Sequence, residues 1–297
     1  VRTASTPTPT MSPPSKTSKS PRPVDKPDKP SPAPVKPETV PLKTEKVEFC
    51  GFNYPGNSTL VRCSKVGLID LTPLARLSDL EEISLDGPSV GSLAPLARLK
   101  KLKTLSIAIG FTKIQELRRA FIRAKEIKYW DIDLSHLTTL HSLESLIIVG
   151  SNVTDLTPLV SLKNLKRLDL GFTKIKDVSP LAKLGKLEVL NLEFTKLGSI
   201  SPLANLKNLR DLNLEYTKLK DLSIIANLRK METLNLDSTL LGDLSPLTNL
   251  IELKKLKFSF TRVRDLAPLV NLKKLENLSF SSTQVRDLAP IAKNHGL

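Results

Sequence analysis

The 297-residue sequence has no run approaching the roughly 18 apolar residues of a membrane-spanning helix, so no segment reads as transmembrane. Histidine is scarce: His136, His141 and His295 are the only three, and no H-E-x-x-H links any of them. There is no C-x-x-C, no G-x-x-x-x-G-K-[ST] and no G-x-S-x-G. These gaps remove the usual zinc, phosphate-loop and serine-hydrolase chemistries. The chain reads as a non-enzyme without catalytic residues, metal or cofactor. Cysteine is just as sparse, with Cys50 and Cys63 alone, close together at one edge of the patterned region.

Proline is crowded into residues 1–46, which hold 12 of the 22 prolines and almost no large apolar residue. Such a segment cannot bury enough surface to offset its ordering entropy, and it reads as a disordered Pro/Lys/Ser/Thr-rich linker, partly polyproline. Its nine Lys/Arg against four acids supply +5 of the net +15, leaving +10 on the rest. With a pI near 9.7, an anionic partner becomes a reasonable expectation. A first residue of Val1 rather than Met reads as a processed or trimmed start, its leader, if one existed, being absent.

What the chain does have is repetition. From Leu168 on, the unit L-x-L-x-x-T-x-[VIL]-x-x-[LIV]-x-P-L-x-x-L-x-x-L-x-x returns every 22 residues, anchored at Leu168, Leu190, Leu212, Leu234, Leu256 and Leu278. Leu146 lies one unit earlier, and Val61, Ile83 and Leu105 share a second 22-residue grid. Alternating leucines make a short strand with one apolar face. A threonine ladder, Thr173 to Thr283, places hydroxyls where the chain leaves each strand and its backbone groups need partners. Aspartates such as Asp155, Asp177 and Asp243 stand where carboxylates can cap the amides of the proline turns. One unit cannot bury its leucines alone, so the units must stack.

The step from Leu105 to Leu146 is irregular at 41 residues. Ile127 lies 22 after Leu105 and is the expected eleventh anchor, in a repeat three residues short. Before it, Leu117, Phe121 and Ala124 have helical spacing amid Arg118, Arg119, Arg123 and Lys125, so a short amphipathic helix replaces the usual proline turn.

These motifs resemble the 22-residue leucine-rich repeats of bacterial internalins and of the SDS22-type phosphatase regulators, over residues 58–297. The resemblance implies an α/β solenoid: a leucine-rich repeat horseshoe of about 11 repeats, with a parallel β-sheet on the concave face and short 3-10, turn or helical segments on the convex one. Threonine replaces the asparagine usual in the ladder, which fits bacterial envelope or secreted members better than the eukaryotic regulators. The expected layout is a linker at 1–46, an N-terminal cap at 47–60 and a repeat domain at 61–297, irregular over 105–145. Cys63 holds an inward strand position, so a Cys50–Cys63 disulfide would pin the cap over the open end. At the other end Leu297 would begin a further strand, so the chain reads there as cut short or frayed, with room for another domain.

Period-two strands assign the residues between the leucines to the concave face. One after each anchor come Asp169, Asn191, Asn213, Asn235 and Lys257; three after come Glu193, Glu215 and Asp237; four after come Phe172, Phe194, Tyr216 and Phe260. An exposed aromatic strip beside an acidic row makes a candidate hot spot for a protein or peptide of basic and aromatic character. In the alternative, the residues four after the anchor turn inward and pad the core. Lysines and arginines line the rims, so an anionic polymer or a membrane surface is a second expected partner class. Nucleic acid fits poorly, because the expected groove is acidic and its aromatics do not interleave with basic rows. The expected location is extracytoplasmic, whereas an intracellular phosphatase-regulator role would require free thiols.

Overall fold

The computed structural model describes residues 45–64, 67–108, 111–123 and 129–292. The linker expected at 1–46 lies outside them except for its last two residues, as do Ile127 and residues 293–297.

The described chain opens with a hairpin, β1 (Val47–Phe49) and β2 (Phe52–Tyr54). A parallel sheet of ten strands follows, comprising β3 (Leu60–Cys63), β5 (Glu82–Asp86), β7 (Thr104–Ala108), β8 (Ser145–Ile148), β9 (Arg167–Asp169), β10 (Val189–Asn191), β11 (Asp211–Asn213), β12 (Thr233–Asn235), β13 (Lys255–Lys257) and β14 (Asn277–Ser279). Two strands outside that sheet, β4 (Gly67–Ile69) and β6 (Pro88–Val90), pair with each other. Every anchor leucine from Leu168 to Leu278 lies opposite its counterpart one repeat away. Short 3-10 helices such as Ser179–Lys183 and Ser201–Asn205 return the chain behind the sheet, with a proline in the first turn of each. Proline fits there because the first N–H groups of a helix have no partner within it.

The core is a stack of leucines. Leu168, Leu170, Leu181, Leu184 and Leu187 of one repeat are all 0% exposed, and the neighbouring repeats repeat the set. The polar ladders close the turns between them. Thr173, Thr195, Thr217, Thr239 and Thr261 each donate Oγ1 to the carbonyl three residues back, at 2.6–2.8 Å, within their own repeat. Asp155, Asp177, Asp221, Asp243 and Asp265 accept the N–H two residues on, at 2.8 Å. Hydrogen bonds from the Thr157, Ser179 and Ser245 hydroxyls, with these N–H bonds second, favour the ionised carboxylate and hold Asp155, Asp177 and Asp243 below the ordinary aspartate range.

Val47 and Phe49 of the hairpin are buried, with β1 against the 3-10 helix Thr72–Arg76, and Cys50 is bonded to Cys63. The expected disulfide is present, and Tyr54 Oη donates to the Arg62 carbonyl beside it.

β7 pairs directly with β8, Leu105 opposite Leu146, across the 41-residue step, and Ile127, the expected eleventh anchor, lies outside the described residues. After the interruption Leu134, Leu137, Leu140 and Leu143 are buried at positions 22 residues before Leu156, Leu159, Leu162 and Leu165. One ordinary repeat has therefore taken an insertion, and the expected helix, α1 (Phe111–Ile122), lies in it.

Candidate functional site

At each repeat from Phe172 to Ser282, the residue four after the anchor adopts a left-handed backbone, with φ between 52° and 59°. None is glycine, so each bears strain of about 1–2 kcal/mol. The turn keeps the ladder running past the strand: Phe172, Phe194, Tyr216, Ser238 and Phe260 donate their N–H groups to carbonyls of the following repeat, at 2.8–2.9 Å. It also decides where the aromatics go. Phe172 and Phe194 are 0% and 1% exposed, and the two rings and Tyr216 stack with centroids 4.5 and 4.6 Å apart. The exposed strip expected from the sequence is corrected here, because two of its rings are covered. Tyr216 is half-buried, and Phe260, four repeats beyond Phe172, is 64% exposed.

The cover is α1. Leu117 is buried in one cluster with Val149, Phe172 and Phe194, and Ile114, Ile147 and Tyr216 pack around it. Ile147 and Val149 occupy concave-face positions that carry no aliphatic side chain in the later repeats, so this repeat offers an apolar seat for the helix. Beside Leu117, Arg118 Nη2 donates to Glu193 Oε2 at 2.6 Å and Nη1 to Glu215 Oε1 at 2.8 Å. Its guanidinium carbon also stands 5.0 Å from the Phe194 ring centroid and 5.8 Å from that of Phe172. The two acids expected to meet a basic ligand already meet one from their own chain.

Those acids are held in a dry setting. The Glu193 and Glu215 side chains are only 12% and 18% exposed, against 30% for Arg118. Burial pushes the Glu193 carboxyl above the ordinary range, with Arg118 opposing it. Burial likewise raises Asp169, against the N–H it accepts from Gly171 at 3.0 Å. Gly171 leaves little to spare: a Cβ there would stand 3.1 Å from Glu193 Cγ.

The remaining predicted residues form an orderly floor. Asn191, Asn213 and Asn235 each accept the N–H two residues on, at 3.0–3.1 Å, which fixes their carboxamides. Asn213 and Asn235 then turn Nδ2 towards Glu193 and Glu215, at 3.4 and 3.2 Å. Asp237 accepts from the Ser259 N–H, and Lys257 is exposed. Asp169, the three asparagines and Lys257, together with Arg167, Val189, Asp211, Thr233 and Lys255, line a groove of about 330 Å³ across β9 to β13. A roomier hollow of about 620 Å³, at Arg264 and Thr283 to Arg286, lies on loop residues and contains none of these side chains.

Some of the basic residues outside the groove are matched by acids within the protein. Lys101, Lys103, Lys166 and Lys274 reach Asp79, Glu81, Glu144 and Glu252 one repeat away, at 2.6–2.7 Å, and Glu232 takes both Arg210 and Lys254. Among the described residues no group of three or more His, Cys, Asp or Glu side chains could hold a metal.

A family model for leucine-rich repeats, in two copies, matches residues 141–183 and 163–205. No curated protein matches the chain by sequence. Among solved structures, the internalin InlF of Listeria monocytogenes aligns with TM-score 0.65 and 27% identity, over 83% of this chain and 75% of that one. A leucine-rich repeat protein of Leptospira interrogans, 20% identical with TM-score 0.56 over 79% of this chain and 69% of its own, supports the fold alone. Internalin C2 of Listeria monocytogenes is 31% identical, with TM-score 0.54, over 55% of this chain and 72% of that one. At that identity and coverage, on ten strands in a single register, the chain belongs to the leucine-rich repeat proteins of the internalin type.

Proposed function

We propose that this chain is a non-enzymatic protein-binding module working outside the cytoplasm, and that its concave groove takes a protein or peptide. The carrying observation is the groove of β9 to β13, whose asparagines are oriented by their own backbone before any ligand arrives. Preorganised polar groups lose little entropy on binding. The mixed charges of Asp211, Lys255 and Lys257 suit a polypeptide better than a uniformly anionic polymer. The acid-paired cations Lys101, Lys103, Lys166 and Lys274 have less to offer a polymer or membrane surface. The Cys50–Cys63 disulfide and the internalin neighbours support an extracytoplasmic setting.

The test compares wild type with an Asp211→Arg, Lys257→Glu variant and a rim variant, Lys163→Glu, Lys186→Glu, in pull-downs from envelope and culture-medium extracts at low and high salt. Loss of the retained protein only in the groove variant, with retention in salt, supports the reading. Retention by the groove variant, with loss in salt or in the rim variant, would instead make the rims the working surface. Location is checked by thiol labelling of protein from its native host, where Cys50 and Cys63 should react only after reduction.

A further inference from the structure

α1 seats on the concave face with only a slender hold. Of its side chains that the structure describes, Leu117 alone is buried, and a helix of this length is marginal without tertiary support. The solenoid does not need it, since β7 and β8 pair in register across the insertion. The left-handed turn itself does not require the aromatic stack, since Ser238 and the exposed Phe260 keep the same backbone. The acids under α1 are another matter. Glu193 and Glu215 are mostly buried, and removing their cation would leave two desolvated carboxylates uncompensated. Whatever takes the place of α1 must therefore bring a cation of its own. The site also specifies the shape of that cation, because two acids at separate nitrogens and a ring under the same group suit a planar guanidinium better than a compact ammonium.

We infer that α1 is a built-in occupant of a guanidinium site, and that the partner competing for it is a protein segment presenting an arginine beside an aliphatic side chain, as Leu117 and Arg118 do. This rests on the reading of the concave face as the binding surface and adds the partner's chemistry and its competitor. The insertion then sets a threshold, so that a segment without the arginine cannot lift the helix.

The test uses the full chain and a labelled peptide of residues 111–123. The peptide should bind a Leu117→Ser, Arg118→Ser protein at least about tenfold tighter than wild type, because the internal competitor has been weakened. Adding Glu193→Gln and Glu215→Gln to that protein should abolish binding, and a peptide carrying Arg118→Lys should bind several-fold more weakly. On wild type, saturating peptide should speed hydrogen exchange of the α1 amides and leave the sheet unchanged, a readout that needs no variant to fold. Equal affinity for wild type and the Ser variant, indifference to Arg118→Lys, or no saturable binding would overturn the inference. Loss of partner in the groove variant together with such a failure sinks this inference alone, whereas a responsive peptide with an indifferent groove variant sinks the groove reading alone.

Discussion

Arg118 and Glu215 are 97 residues apart in sequence, yet their side chains meet at 2.8 Å on the concave face. The contact joins an inserted helix to a strand loop several repeats away, and it converts an open acidic row into a closed one. We expect a double-mutant cycle of Arg118→Ala and Glu215→Ala to give a coupling energy of about 1–2 kcal/mol in denaturant unfolding. Additivity of the two single substitutions would mean that the ion pair contributes nothing to holding α1.

The shared left-handed turn makes opposite predictions at different repeats. At Ser238, φ is 57°, so Ser238→Gly should be neutral or stabilising by up to about 1 kcal/mol. At Phe194 the same backbone carries a buried ring between two others, and Phe194→Ala should cost about 3–5 kcal/mol. Guanidinium unfolding of both variants checks the pair, and a similar cost at both sites would show that the stack is not a stabilising element.

The cap should be separable from the solenoid. Cys50 and Cys63 close a loop with a sequence separation of 13, worth about 3 kcal/mol in the chain-entropy model. Cys50→Ser with Cys63→Ser should lower the melting temperature and raise hydrogen exchange first in the hairpin Val47–Tyr54. Loss concentrated in the last repeats instead would contradict the capping role.

Two sets of acids should respond to pH with opposite sign. Asp155, Asp177 and Asp243 are depressed by the Thr157, Ser179 and Ser245 hydroxyls and then by the turn N–H groups, so their contribution is present above the unfolded aspartate value and is lost as pH falls through the lower folded one. Asp169 and Glu193 are raised by burial, so the folded state holds their protons longer than the unfolded state. Their effect is a stability loss as pH rises from the unfolded value through the raised one. Asp169→Asn should therefore flatten the decline on the alkaline side of that window, whereas Asp177→Asn should flatten the acid limb; the reverse assignment would refute the burial argument.

The regular part of the molecule is legible in the chain because its cause is local. Each anchor leucine specifies its own strand, and the 22-residue spacing alone places Leu190 opposite Leu168 and Leu212. The threonine and aspartate turns are readable for the same reason, since each partner lies within three residues. Phe172 and Phe194 were ambiguous, because whether their rings face outward depends on a backbone turn and on a helix contributed from outside their repeats. The seat of α1 is the least legible feature, as its two ion pairs reach acids 75 and 97 residues away. One trace was nonetheless present. Ile147 and Val149 interrupt the polar alternation of the concave face in the strand region directly after the insertion, and two exposed aliphatics there required a cover.

The most direct measurement is amide hydrogen exchange across α1 in wild type and in a Glu193→Gln, Glu215→Gln variant. With Arg118 holding the helix to the concave face, the α1 amides should be protected in wild type and exchange at least about tenfold faster in the variant, while β9 to β13 stay unchanged. Equal exchange of α1 in the two proteins would contradict the account, because the helix would then owe nothing to the acids beneath it.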